Sequence, residues 1–60
     1  MILKNHASEL EKAFDLDGGS VKHLYNFIFE GTKDGRTVTI YATPADETFE
    51  TIEIQSVRGI

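Results

Sequence analysis

The stretch that decides the fold is Phe27-Ile-Phe-Glu-Gly-Thr-Lys-Asp34-Gly35-Arg-Thr-Val-Thr-Ile-Tyr-Ala42. On its left arm Phe27 and Phe29 alternate with Ile28 and Glu30; on its right arm Val38, Ile40 and Ala42 alternate with Thr37, Thr39, Tyr41 and Thr43. A period of two with one apolar face is the pattern of a half-buried strand. Asp34-Gly35 supplies two residues that tolerate positive φ, so the arms read as a hairpin. A two-residue type I′ turn pairs positions whose numbers sum to 69 and sets Phe29 opposite Ile40 and Phe27 opposite Ala42. A three-residue loop would put Phe29 against Thr39 and turn the two apolar sets to opposite faces. Because a one-residue slip inverts a whole strand, the odd register is expected, by a two-residue turn or by a four-residue loop of the same parity.

Working outward, Thr43-Pro44-Ala45-Asp46-Glu47 has the marks of a helix start, with room for one turn or a wide loop. Pro44 is expected to end the second strand, since it has no N–H for a ladder. A further strand follows from Phe49, in which Ile52 and Ile54 alternate with Thr51, Glu53 and Gln55. Towards the N-terminus, Leu3, Ala7, Leu10 and Phe14 recur at steps of four, three and four, which predicts a helix over 2–16. Asp17-Gly18 supplies its stop, and Gly18-Gly19-Ser20 reads as the break before a first strand carrying Tyr25, Phe27 and Phe29. The expected fold class is α+β, a single domain over 1–60 in the order α-β-β-β. Its N-terminal helix packs on one face of a three-stranded antiparallel sheet.

Sixty residues bury only about 60% of the surface exposed by the unfolded chain, so the margin of stability is thin. Without cysteine there are neither disulfides nor thiolate metal sites, and a reducing, cytoplasmic setting is expected. The start Met1-Ile-Leu-Lys lacks a signal peptide's basic region and apolar core, and no apolar run approaches the ~20 residues of a membrane span.

Charge is the most distinctive property. Ten acids stand against six Lys and Arg, for a net charge of −4. The imbalance lies in residues 37–60, where Asp46, Glu47, Glu50 and Glu53 face only Arg58. Direct nucleic-acid binding calls for clustered Lys and Arg, whereas here the cations are spread thinly among acids. A second acidic group, Glu11, Asp15 and Asp17, occupies the end of the expected helix. There Glu11 and Asp15 repel at a spacing of four, and the macrodipole disfavours anions. Acids placed against local stability point to a use other than stability.

Chemical motifs are lacking. His6 and His23 have no ligand spacing, and Ser8, Ser20 and Ser56 have no partners in sequence. The glycines form no phosphate loop. Asp15-Leu-Asp-Gly-Gly19 resembles the start of a calcium loop, but its twelfth position is Asn26 rather than Glu. No enzyme activity, metal or cofactor is expected. On the open sheet face Leu24, Ile28 and Tyr41 form an apolar patch, which makes a homo-oligomeric module the alternative reading.

In its size, its acidity, its freedom from cysteine and its order of elements, the whole chain resembles the small inhibitors that phages encode against host defence enzymes. Anti-CRISPR proteins and uracil-DNA glycosylase inhibitors are examples. The resemblance is one of kind, without a shared motif. It implies a DNA mimic whose carboxylates stand where a target expects phosphates, the partner being a basic surface of a nucleic-acid-binding host protein. Glu11, Asp15 and Asp17, or Asp46, Glu47, Glu50 and Glu53, would then make the contacts.

Overall fold

The central hairpin forms as its sequence dictates. In the computed structural model, which describes residues 1–23 and 27–59, β3 (Phe27–Lys33) and β4 (Arg36–Pro44) pair antiparallel with Phe27 opposite Ala42 and Phe29 opposite Ile40. Asp34 (φ 51°) and Gly35 (φ 77°) both take positive φ, as a type I′ turn requires. Phe27, Phe29, Val38, Ile40 and Ala42 are buried on one face. β4 ends on Pro44, as its missing N–H demands.

The expected α-β-β-β architecture is overturned. The sheet has five antiparallel strands in the order β1-β5-β4-β3-β2, curled into a half-barrel, and the single helix is short. The two added strands are its edges: β1 (Ile2–Lys4) pairs with β5 (Thr51–Arg58), and β2 (Gly18–His23) pairs with β3. The helix α1 spans only Ala7–Phe14, not 2–16.

Each correction has a local cause. Leu3 matches the helical spacing, but its backbone is held in a strand beside β5, with Leu3 opposite Ile52. Beyond the strand, Asn5 N–H donates to the Glu50 carbonyl at 2.8 Å and Ile54 N–H to that of Met1 at 2.9 Å. Ladder bonds shared with a neighbour outweigh the weak propensity of one helical turn. Of the expected stripe only Leu10 is fully buried; Leu3 and Phe14 are half-buried and Ala7 is exposed. The helix stops before Asp17, because Asp15 already turns left-handed (φ 54°, ψ 51°) and the Leu16 N–H closes on the Glu11 carbonyl at 2.8 Å.

Gly18-Gly19-Ser20 is strand, not break. Gly19 faces Gly31 across β2 and β3, and the pair leaves room for the ring of Phe29, which is fully buried. A Cβ on Gly19 would lie 2.6 Å from two carbons of that ring. The glycines here serve close approach rather than a turn. Leu24 and Tyr25, assigned above to the open face and the core face, lie outside the described residues.

Curl comes from the last strand and its closing helix. β4 pairs with β5 at a sum of 97 from Thr39 to Tyr41 and of 96 from Ala42 to Pro44, so Gln55 is an extra residue. Such a bulge bends a strand and increases its twist. It also resets the alternation: Ile52 and Ile54 face the core before it, and Val57 does so after it. A flat five-stranded sheet would hold its edges about 19 Å apart. The eight-residue α1, about 12 Å long, connects β1 to β2 and packs on both. Leu10 thereby enters the concave face and completes a core with Phe27, Phe29, Val38, Ile40, Ala42 and Ile52.

Candidate functional site

The register divides the expected acidic residues between two ends of an elongated molecule, 34 Å long and 18 by 17 Å across. At one end the Asp34-Gly35 turn meets the start of β2, since Gly18 pairs with Thr32. At the other, the loop over 45–50 joins β4 to β5 and meets the end of β1, since Lys4 pairs with Thr51. Along β4, from Arg36 to Pro44, the separation is roughly 27 Å.

The loop over 45–50 is built round Asp46. One oxygen, Oδ1, accepts from the Thr48 N–H at 2.8 Å, the Thr48 hydroxyl at 2.7 Å and the Glu50 N–H at 3.2 Å. The other, Oδ2, accepts from the Thr51 N–H at 2.8 Å and from the Thr51 hydroxyl. The hydroxyls of Thr51 and Thr48 foremost, then the backbone N–H groups, hold this carboxyl far below the usual carboxylate range. The network fixes a turn in which Phe49 has positive φ (63°) and lays its ring 6.0 Å from that of Phe27. Asn5 braces it by donating from Nδ2 to the Phe49 carbonyl at 3.1 Å. Asp46 therefore caps one end of the core and is spent inside its own loop.

A pH effect follows. A carboxyl whose pKa is lowered on folding stabilises the fold above its unfolded value of about 3.9, and that contribution is lost as pH falls below it. Asp46→Asn is expected to melt lower than the parent at pH 7, with the difference shrinking below about pH 4. Melting curves of both chains across that range check it; a constant difference would remove Asp46 from this role.

Of the other acids of that group, Glu47 and Glu50 share the exposed loop with Asp46. Glu53 is exposed on the convex face of β5, opposite Thr43 and Ile2, and its Oε1 accepts from Gln55 Nε2 at 3.5 Å. Lys4 and His6 adjoin Glu50 and Thr51 round a shallow depression.

Asp15 and Asp17 come to the β3–β4 turn, where the fold adds Asp34, which sequence order left inside a turn, and where the cations Lys33 and Arg36 flank it; Glu11 stands one turn earlier on α1. Asp17 Oδ2 accepts from the Asp34 N–H at 3.2 Å, while the Asp17 N–H donates to the Thr32 carbonyl at 2.7 Å. Asp15 is the left-handed residue that ends α1, and its side chain is 95% exposed. Lys33 Nζ approaches it at 4.0 Å, the one salt bridge among the described residues. At that distance and exposure it contributes little. Only knowledge of the register could have brought Asp34 to this group.

Ile28 and Tyr41 are cross-strand neighbours on the convex face, as the hairpin register requires. Both are half-buried, and the Arg58 guanidinium lies 5.8 Å from the Tyr41 ring centre. Apart from exposed Ile2 on β1, the open face is otherwise polar or charged, so the apolar patch of Ile28 and Tyr41 is narrow there.

Among the described residues no group of three His, Cys, Asp or Glu is placed to hold a metal, and no helix is long and apolar enough to cross a membrane. No protein-family model matches the chain, and no match was found among curated proteins or solved structures.

Proposed function

We propose that the protein is a non-enzymatic inhibitor of the phage anti-CRISPR kind. It docks carboxylates on a basic, nucleic-acid-binding surface of a host defence protein in the cytoplasm. The contacting group is Glu11, Asp15, Asp17 and Asp34 at the helix C-terminus and the β3–β4 turn.

One observation carries the reading. Asp15 combines a left-handed backbone, a helix C-terminus and almost full exposure, with Glu11 one turn before it. Left-handed φ favours glycine, and the macrodipole repels an anion. A residue disfavoured two ways by its own fold is kept for its charge. A preset group of anions would meet Lys and Arg with little loss of side-chain freedom and would gain from charge steering.

The test separates stability from binding. Asp15→Gly is expected to raise stability by about 1 kcal/mol, since glycine suits the position. It is also expected to weaken capture of a basic nucleic-acid-binding protein from bacterial lysate. Reversing Glu11, Asp15 and Asp17 to Lys should weaken that capture about 100-fold with an unchanged circular dichroism spectrum. Capture should be released by salt and by duplex DNA. Undiminished capture by the triple variant, or indifference to salt and DNA, would remove the proposal; loss on reversing Glu47, Glu50 and Glu53 instead would move it to the other end.

A further inference from the structure

The outer edge of β2 pairs with no strand among the described residues. It is six residues long, against three for the opposite edge, β1. Proteins usually guard such an edge with charge, brevity or a bulge. Here the register shift comes only after Val21, and Gly18 to Val21 carry no charge. In a chain of ten acids, Gly18–His23 has none, so two copies can meet there without opposing carboxylates. Val21, facing the concave side opposite Phe29, is 41% exposed.

We propose that this edge is a self-association surface: two copies pair antiparallel through β2 about a two-fold axis at Ser20. A two-fold axis relating antiparallel strands of one sheet stands perpendicular to it, so paired numbers sum to an even value and matching faces align. Centring on Ser20 uses residues 18–22 and the least of the irregular stretch. Val21 of each copy then lies opposite Gly19 of the other, whose missing side chain leaves space. Lys22 lies opposite Gly18. A single pair of short strands buries less than about 1,000 Å², which makes the association weak. The inference does not rest on the proposed docking, and its test contains no target.

The chain has no cysteine, so Ser20→Cys introduces one thiol, which pairing would set against its own copy. Opposed Cα atoms lie about 4.5–5.5 Å apart, within disulfide range. In a glutathione buffer, Ser20→Cys is expected to form disulfide-linked dimer at least about ten-fold faster than Thr37→Cys on the open face. Adding Val21→Asp, which brings a carboxylate from each copy to the seam, should slow it several-fold. Equal rates for the two cysteine variants would overturn the proposal. So would an unchanged rate after Val21→Asp in a chain whose circular dichroism is unchanged. If that chain does not fold, the comparison of Ser20→Cys with Thr37→Cys decides alone.

Discussion

Phe29→Ala is expected to leave the chain largely unfolded at 25 °C. Phe29 is fully buried where β3 faces β4, with Ile40 opposite and the Gly19–Gly31 pair against its ring. Truncating a buried phenylalanine costs about 3–5 kcal/mol, part lost transfer energy and part cavity. A domain of this length has a total stability of roughly 3–9 kcal/mol, and no disulfide supplements it. Denaturant unfolding should show the midpoint collapse towards zero, whereas Ile28→Ala on the half-buried outer face should cost far less. A variant that kept most of the parent's stability would mean that the core does not centre on this ring.

Gly19→Val is expected to be nearly as damaging, although it adds an apolar group at an exposed position of an edge strand. The added Cβ would lie 2.6 Å from two Phe29 ring carbons and 2.8 Å from the Glu30 carbonyl oxygen. The carbonyl belongs to the β2–β3 ladder and cannot retreat without opening it, and the ring has a filled core behind it. Overpacking costs about 1–3 kcal/mol and more where backbone must move. Gly18→Val is the control, because a Cβ there meets nothing within 4 Å. If residues 18–20 were only a flexible break before the first strand, the two substitutions would be equally mild. A large difference in melting temperature between them supports β2 as a strand, and equality would refute it.

These two substitutions mark how far the sequence could be read. Where one face was apolar and a turn fixed the register, as from Phe27 to Ala42, parity alone set every cross-strand pair. The edges were not legible in this way. Ile2-Leu3-Lys4 is too short to show a period, and Leu3 fits the helical spacing of Leu10 and Phe14. Its pairing depends on β5, about fifty residues away. Gly18 and Gly19 carry no side chain to reveal alternation, and the reason for Gly19 is a ring in another strand. Gln55 does leave a trace in the sequence, since Ile52, Ile54 and Val57 break the period of two at the position where the bulge lies.

The acids were legible as composition but not as arrangement. Asp46 stood out for its lack of basic neighbours, yet its partners proved to be hydroxyls and backbone N–H groups of its own loop. Asp34, a turn residue by sequence, joins Asp17 because the helix delivers the chain to that turn. What persists is that acids outnumber cations and that only Asp15 has a cationic partner among the described residues.

The melting temperature against sodium chloride, from about 10 to 200 mM at pH 7, tests that point most directly. The Debye length falls from about 30 Å to below 10 Å across this range, screening surface charges from one another. Uncompensated carboxylates destabilise a compact chain by mutual repulsion, so the account predicts that the melting temperature rises as salt is added. A melting temperature that falls over the same range would show that attractive ion pairs hold the fold, and would contradict carboxylates held free for a partner.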